Sequence, residues 1–231
     1  MTRLNKFIAD SGVTSRRKAE ELILQGRVMV NNKTITKLAF NIDTENDEVS
    51  VDGEKIKPAE HVYYLLNKPK GVVTTTDDEK NRMTVTDLIK SKHKLFPVGR
   101  LDYNTTGVLI LTNDGEFAQK IIHPRNKIIR EYEVKLDKEL SIEDEKTLLK
   151  GVFIEGTRGT FIAVKYGKKK DRKNIVVQCT EGRNHFVKKM FSTINYTVEK
   201  LHRSSFAGIF PDIPIGSYRK LTSNELQKLS K

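Results

Sequence analysis

One cysteine in 231 residues excludes an internal disulfide, and Cys179 has no Cys or His neighbours at zinc-site spacings, so neither staple nor structural metal is signalled. Cys179 reads as a small buried strand residue. Long apolar runs are also missing: stretches such as Val108 to Leu111 fall far short of the roughly 20 residues of a membrane span. The opening MTRLNKFIADSG lacks a secretory apolar core, so a soluble cytoplasmic protein with no membrane partner is expected. There is no Gly-rich phosphate loop of the Walker or dinucleotide type, and no Gly-x-Ser-x-Gly elbow. The histidines (His61, His93, His123, His185, His202) are scattered without a carboxylate cluster. No cofactor and no metal are expected, and metal hydrolysis, nucleotide use and a serine hydrolase are poorly supported.

Positive charge is what the chain has in excess. Lys plus Arg number 42 against 30 Asp plus Glu, a net charge of +12 that favours a polyanionic partner. The first 57 residues read as a module of their own. Leu4, Phe7 and Ile8 fall at helical spacing; after Gly12 a second helix starts at Ser15, carries Ala19, Leu22 and Ile23 on its apolar face and stops at Gly26. Val28 with Val30, and Val49 with Val51, then alternate as short strands around an Asn31-Asn32 turn and before an Asp52-Gly53 hairpin. Residues 1–37 hold eight basic and three acidic residues, residues 38–58 two basic and six acidic, so the helical end is the positive one. Ser15-Arg16-Arg17-Lys18 puts cations at the positive end of a helix dipole, which is unfavourable unless an anion such as a phosphate backbone meets them.

RLNKFIADSGVTSRRKAEELILQGRVMVNN resembles the S4 RNA-binding domain across nearly the whole segment. The resemblance implies that Arg3, Lys6, Ser15, Arg16, Arg17, Lys18 and Arg27 face RNA. A short linker over residues 58–60, with Pro58 forcing extended chain, separates the S4 domain (1–57) from a second domain over 61–231.

In the second domain Val62 to Leu66 reads as a strand and Val72 to Thr75 as its return. A helix over Val85 to Lys90 is expected behind a Thr84/Asp87 capping pair. The apolar strand after Asp102 is followed by an Asn113-Asp114-Gly115 turn and a helix with Phe117, Ile121 and Ile122 facing inward. Tyr132, Val134 and Leu136 share one face of a strand over 130–136. Ser141 and Asp144 open a helix ending at Gly151, strands lie around 152–155, 160–166 and 174–180, and Lys168 to Lys173 form a basic loop that is a candidate RNA contact. Val187, Met190, Phe191 and Ile194 make the stripe of a further helix. Many strands with interspersed helices and no fixed strand-helix repeat argue for an α+β fold with a mixed, mainly antiparallel sheet flanked by helices.

Three segments of this domain, GRLDYNTTGVLILTNDG (99–115), REYEV (130–134) and EGRNHFVKKMF (181–191), supported by YYLLNKPKGVVTTT and PIGSYRKLT, resemble the motifs of the ribosomal RNA pseudouridine synthases that carry an S4 domain. RLNKFIADSGVTSRRKAEELI and VVTTTDDEKNRMTVTDLI are most similar to the B-type enzymes that act on large ribosomal RNA. The resemblance implies a site-specific, cofactor-free isomerisation of uridine to pseudouridine in rRNA, 23S ahead of 16S, by a monomer. Asp102 is the implied catalytic carboxylate, Tyr132 stacks against a flipped-out base, and Lys188 pairs with Asp102 and keeps it ionised. Arg100 enters the RNA, Arg183 and Asn184 contact substrate or brace the loop, and Leu201 packs near the base. Two residues depart from the pattern. His185-Phe186-Val187 stands where relatives carry Arg-Gln-Val or His-Gln-Val, and Asn195 where glycine is usual; neither is expected to touch Asp102. A noncatalytic S4-type RNA-binding or ribosome-assembly protein is the rival from another class, and loss of Asp102 would have favoured it.

Overall fold

The computed structural model describes residues 1–167 and 171–230, so Lys168 to Lys170 of the basic loop lie outside the described residues. The chain divides into two compact units, Met1–Val62 with Ser91–Lys94 and Asn113–Gly115, and Tyr63–Lys90 with Leu95–Thr112 and Glu116–Lys231.

The first unit contains β1 (Thr2–Arg3), α1 (Leu4–Asp10), α2 (Arg16–Leu24), β2 (Val28–Val30), β3 (Lys33–Thr34), β4 (Asn41–Ile42), β5 (Val49–Val51) and β6 (Glu54–Ile56). Ser15 caps α2, its hydroxyl accepting from the Lys18 N–H at 3.3 Å. Leu4, Phe7, Ile8, Ala19 and Ile23 meet Val28, Val30, Val49 and Val51 in one buried cluster, because the helical and alternating periods each leave one apolar side to cover. Asn31 and Asn32 both take positive φ (49° and 64°) in the turn from β2 to β3, a conformation Asn tolerates better than most residues.

The second unit is built on β7 (Tyr63–Lys68), β8 (Phe96–Pro97), β9 (Thr106–Thr112), α3 (Gly115–Ile122), β10 (Arg130–Leu136), α4 (Ile142–Lys150), β11 (Val152–Ile154), β12 (Thr157–Gly159), β13 (Ala163–Tyr166), β14 (Asn174–Cys179), α5 (Phe186–Ser192), β15 (Val198–Phe206), β16 (Tyr218–Lys220) and α6 (Ser223–Ser230). Its main sheet runs β13-β14-β10-β15-β9-β7-β16, with β8 paired to β9. All pairs in it are antiparallel except β15 with β9. Arg203 of β15 is flanked by Tyr132 on one side and Gly107 on the other. Gly107 has φ +113°, and a Cβ there would land on the Arg203 backbone, so the two strands pair only because position 107 has no side chain.

Several sequence expectations are corrected. Val85 to Lys90 is a succession of turns rather than a helix, although Asp87 does accept from the Thr84 N–H and hydroxyl, both at 2.8 Å. The bonds that form there are three-residue turns, Asp87 N–H to the Thr84 carbonyl at 3.2 Å and Ile89 N–H to the Thr86 carbonyl at 3.3 Å, and the Lys90 N–H that a helix would use donates to the Tyr218 hydroxyl at 3.2 Å. Residues 72–75 form no return strand, only an isolated bridge between Val73 and Thr84. Residues 160–162 likewise fall between β12 and β13, and Ile122 is 42% exposed rather than inward.

Candidate active site

Asp102 lies in the loop between β8 and β9, and this loop is held chiefly through its backbone. Thr105 N–H donates to the Asp102 carbonyl at 3.0 Å, and Gly71 N–H to the Tyr103 carbonyl at 2.9 Å. The Thr74 hydroxyl donates to the Leu101 carbonyl at 2.6 Å. Beneath them the Lys68 ammonium, at the end of β7, donates to the carbonyls of Pro69 (3.0 Å), Asp102 (3.1 Å) and Thr105 (3.1 Å). Buried carbonyls need donors, and one ammonium supplies three. Lys68 is fully buried; desolvation pulls its pKa down to about 8, with the nearby Asp102 charge pulling the other way.

The Asp102 carboxylate is partnered from α5. Lys188 Nζ stands 2.8 Å from Oδ2, His185 Nε2 3.3 Å from Oδ1, and the Thr105 hydroxyl donates to Oδ2 at 3.4 Å. Phe186, Val187, Met190 and Phe191 bury the apolar side of α5, and Phe161 packs on Phe186 and Phe191 at ring separations of 6.1 and 5.4 Å. That anchoring turns Lys188 toward the loop. His185 takes a left-handed backbone (φ 54°) at the helix start, which brings its ring onto Asp102. This contact comes from His185, which the His-Gln-Val pattern also carries, and not from Phe186, the residue that departs from it. Phe186 fills the space of the usual amide with a buried ring, and Asn195 takes φ 62°, the conformation glycine would supply.

Beside the loop a cavity of about 700 Å³ is lined by Asp102, Arg130, Tyr132, Leu201, Arg203 and Phe206, among others. Tyr132 is buried, and desolvation raises its phenol pKa against the opposing pull of Arg203 and Arg130. Arg203 is 2% exposed; its Nε donates to the Val108 carbonyl at 2.8 Å and its guanidinium lies 4.6 Å from the Phe206 ring centroid. Arg130 donates to the carbonyls of Ile128 (2.8 Å) and Thr180 (2.6 Å) and sits 5.3 Å from the same ring.

Of the residues singled out in the sequence, Arg100, Asp102, Tyr132, Arg183 and Leu201 line this cavity, and Lys188 reaches Asp102 without itself lining it. Arg100 is exposed. Arg183 is tied to Glu181 at 2.6 Å and lies 5.2 Å from the Phe186 ring, a bracing arrangement, while Asn184 is exposed and off the cavity wall. In the first unit Arg3, Ser15, Arg16, Arg17 and Lys18 are exposed, Lys6 is 3.8 Å from Asp10, and Arg27 forms a two-pronged pair with Asp52 at 2.7 and 2.6 Å. Lys68, Arg130, Arg203 and the His185 contact were not foreseen. A lysine closing the apolar run Tyr64-Leu65-Leu66 was the available signal for Lys68. Among the described residues no group of three His, Cys, Asp or Glu side chains is placed to hold a metal ion, and no helix is long and apolar enough to cross a membrane.

Comparison with known proteins identifies the family of each domain. The family described as RNA pseudouridylate synthase matches residues 62–193, and the S4 domain family residues 2–49. A ribosomal large subunit pseudouridine synthase B of Bacillus subtilis is 41% identical over 99% of this chain and 96% of its own length. A dual-specificity RNA pseudouridine synthase of Escherichia coli is 36% identical over 99% of this chain and 78% of its own. A crystal structure of a pseudouridylate synthase superposes with a TM-score of 0.71 at 30% identity, covering 99% of this chain and all of the other.

Proposed function

The chain belongs to the RNA pseudouridylate synthase family and carries an S4 domain ahead of the synthase domain, and from that premise we propose that it isomerises a specific uridine of 23S rRNA in the cytoplasm, as a monomer without cofactor. The observation that carries the assignment of the site is Asp102, gripped by Lys68 through its backbone and by Lys188 through its carboxylate, on the wall of the cavity that holds Tyr132.

The reaction breaks the bond from uracil N1 to ribose C1′, turns the base and joins C5 to C1′; the C5 proton leaves and N1 takes one up, so atoms balance without a co-reactant. Asp102 supplies the oxygen that stabilises C1′, by covalent addition or by assisting proton transfer at the sugar. Lys188 holds that carboxylate charged and oriented. The Tyr132 ring gives the extruded base an aromatic face, and Leu201 packs near it. Arg100 enters the RNA, and Arg183 and Asn184 contact substrate or brace the loop. Residues 1–57, through Arg3, Lys6, Ser15, Arg16, Arg17, Lys18 and Arg27, dock structured rRNA and connect through residues 58–60 to the catalytic domain, 61–231. The 23S substrate is favoured by the similarity to the Bacillus subtilis enzyme over nearly both full chains.

Carbodiimide mapping of pseudouridines in both rRNAs from cells lacking the protein tests this. One 23S site disappears and is restored by wild type but not by Asp102→Asn, with a loss of about 10⁴-fold in rate. A lost 16S site would move the substrate assignment. No lost site, or full rescue by Asp102→Asn, overturns the reading.

A further inference from the structure

Arg203 is the least expected side chain of the cavity. It is 2% exposed, and its Nη2 has no hydrogen-bond partner among the described residues. Neither Arg203 nor Arg130 makes an ion pair with a carboxylate among those residues; Asp102 is taken by Lys188 and His185, and Glu181 by Arg183. Burying a guanidinium without a counter-charge costs several kcal/mol, and it cannot discharge by losing its proton at working pH. The resting protein therefore keeps uncompensated positive charge on the cavity wall. A fold retains such a feature where an anion arrives to meet it.

The phenol of Tyr132, directly across the strand pair from Arg203, is not that anion. Burial raises its pKa, so it remains a neutral phenol. Nor is the arriving uridine charged at its base. Negative charge appears there only when the N1–C1′ bond breaks and its electron pair stays on the base, spread over N1, O2 and O4, while C1′ is left electron-poor beside Asp102. Resting on the pseudouridine synthase reading, we propose that Arg203 is a further catalytic residue, whose buried guanidinium, interacting with the Tyr132 phenol on the cavity wall, stabilises the detached uracil anion and lowers the barrier to N1–C1′ cleavage. The contact is weak to neutral uridine and strong to the anion, so it favours the transition state over the ground state. As C5 bonds to C1′ the base becomes neutral again, its C5 proton then departs while N1 takes one up, and the neutral product is released from the same contact. Val108 and Phe206 fix the guanidinium from two sides, and Gly107, which has no side chain to separate the strands, lets β15 lie close against the loop strand that follows Asp102.

The test uses single-turnover cleavage with enzyme in excess over RNA, read as loss of the target nucleoside, which is separated chromatographically from its equal-mass C5-linked product in nuclease digests and identified by fragmentation in mass spectrometry. The RNA carries uridine or 5-fluorouridine at the target. Fluorine at C5 stabilises negative charge on the detached base and makes the base less dependent on Arg203. Arg203→Met is expected to slow cleavage of the uridine RNA by about 10²-fold to 10³-fold. On the fluorinated RNA the loss is expected to be at least tenfold smaller, with RNA affinity in both cases within about threefold of wild type. Arg203→Lys keeps the buried charge but not the planar fork; it falls between Met and wild type in the same order and carries the comparison if Arg203→Met fails to fold. Equal losses on the two RNAs, as a purely structural role would give, overturn the proposal, as does the absence of a loss on uridine. Failure of the wild-type enzyme to form pseudouridine in either rRNA would instead overturn the functional reading, which the mapping above detects separately.

Discussion

Arg16, Arg17 and Lys18 stand in solvent at the start of α2, whereas Lys68, Arg130 and Arg203 are all buried around the Asp102 loop and its cavity. The residue types are the same and the physics is opposite. An exposed cation interacts through water and salt, so its worth is shared with its neighbours and falls with ionic strength. A buried cation acts in a medium that screens little, so each one is held by named atoms and its loss is local and large. In this protein the exposed set suits grip on a long polyanion, and the buried set suits control of a small volume.

Lys68→Met should break the contrast most severely. The Pro69 and Thr105 carbonyls would lose the ammonium, at about 1–3 kcal/mol for each buried group left unsatisfied and partly offset by relief of the buried charge, while the Asp102 carbonyl keeps the Thr105 N–H. A net loss near 3 kcal/mol would lower Tm by roughly 6–12 °C in calorimetry. The same substitution has a signature in pH. Between about 8 and 10.5 the unfolded chain holds a proton on Lys68 that the folded chain has released, so folding stability rises with pH across that window. Lys68→Met should flatten that rise; a slope equal to wild type would show that Lys68 titrates normally.

Lys188, with its side chain 34% exposed, lies between the two sets. Lys188→Met is expected to reduce single-turnover pseudouridine formation by about 10²-fold while leaving Tm within about 2 °C, and Lys188→Arg to recover most of the rate. A fall in Tm as large as that of Lys68→Met would make it a structural residue. The smallest effects belong to the exposed set. Arg16→Ala and Arg17→Ala should each flatten the salt dependence of RNA binding by about 0.7–0.9 in log–log slope, with the rate at saturating RNA unchanged. Unchanged slopes in both would remove α2 from the RNA interface.

The same contrast explains what could be read from the sequence. Ser15 before Arg16-Arg17-Lys18 announces a helix start, and Val28, Val30, Val49 and Val51 announce strands, because these signals are local. Asp102, Tyr132 and Lys188 are separated along the chain, and they could be gathered beforehand only through the resemblance carried by three motifs; the structure places Lys188 on Asp102, 86 residues away, and Tyr132 on the same cavity. Lys68, Arg130 and Arg203 were illegible, since a cation in a strand ordinarily marks the solvent side and only the tertiary fold shows it to be covered. The Thr84/Asp87 pair misled for the converse reason: its hydrogen bonds form as the spacing implies, but the distant Tyr218 hydroxyl takes the Lys90 N–H that a helix would have used.

Strand β15 occupies the middle of the main sheet and comes late in the chain. During synthesis, β10 with β14 on one side and β9 with β7 on the other wait unjoined until Phe206 has left the ribosome. Asp102, Tyr132 and Lys188 are all made before the strand that brings their supports together. A nascent chain stalled or cut ahead of Val198 carries these side chains but lacks Leu201, Arg203 and Phe206, so the cavity has no wall from β15.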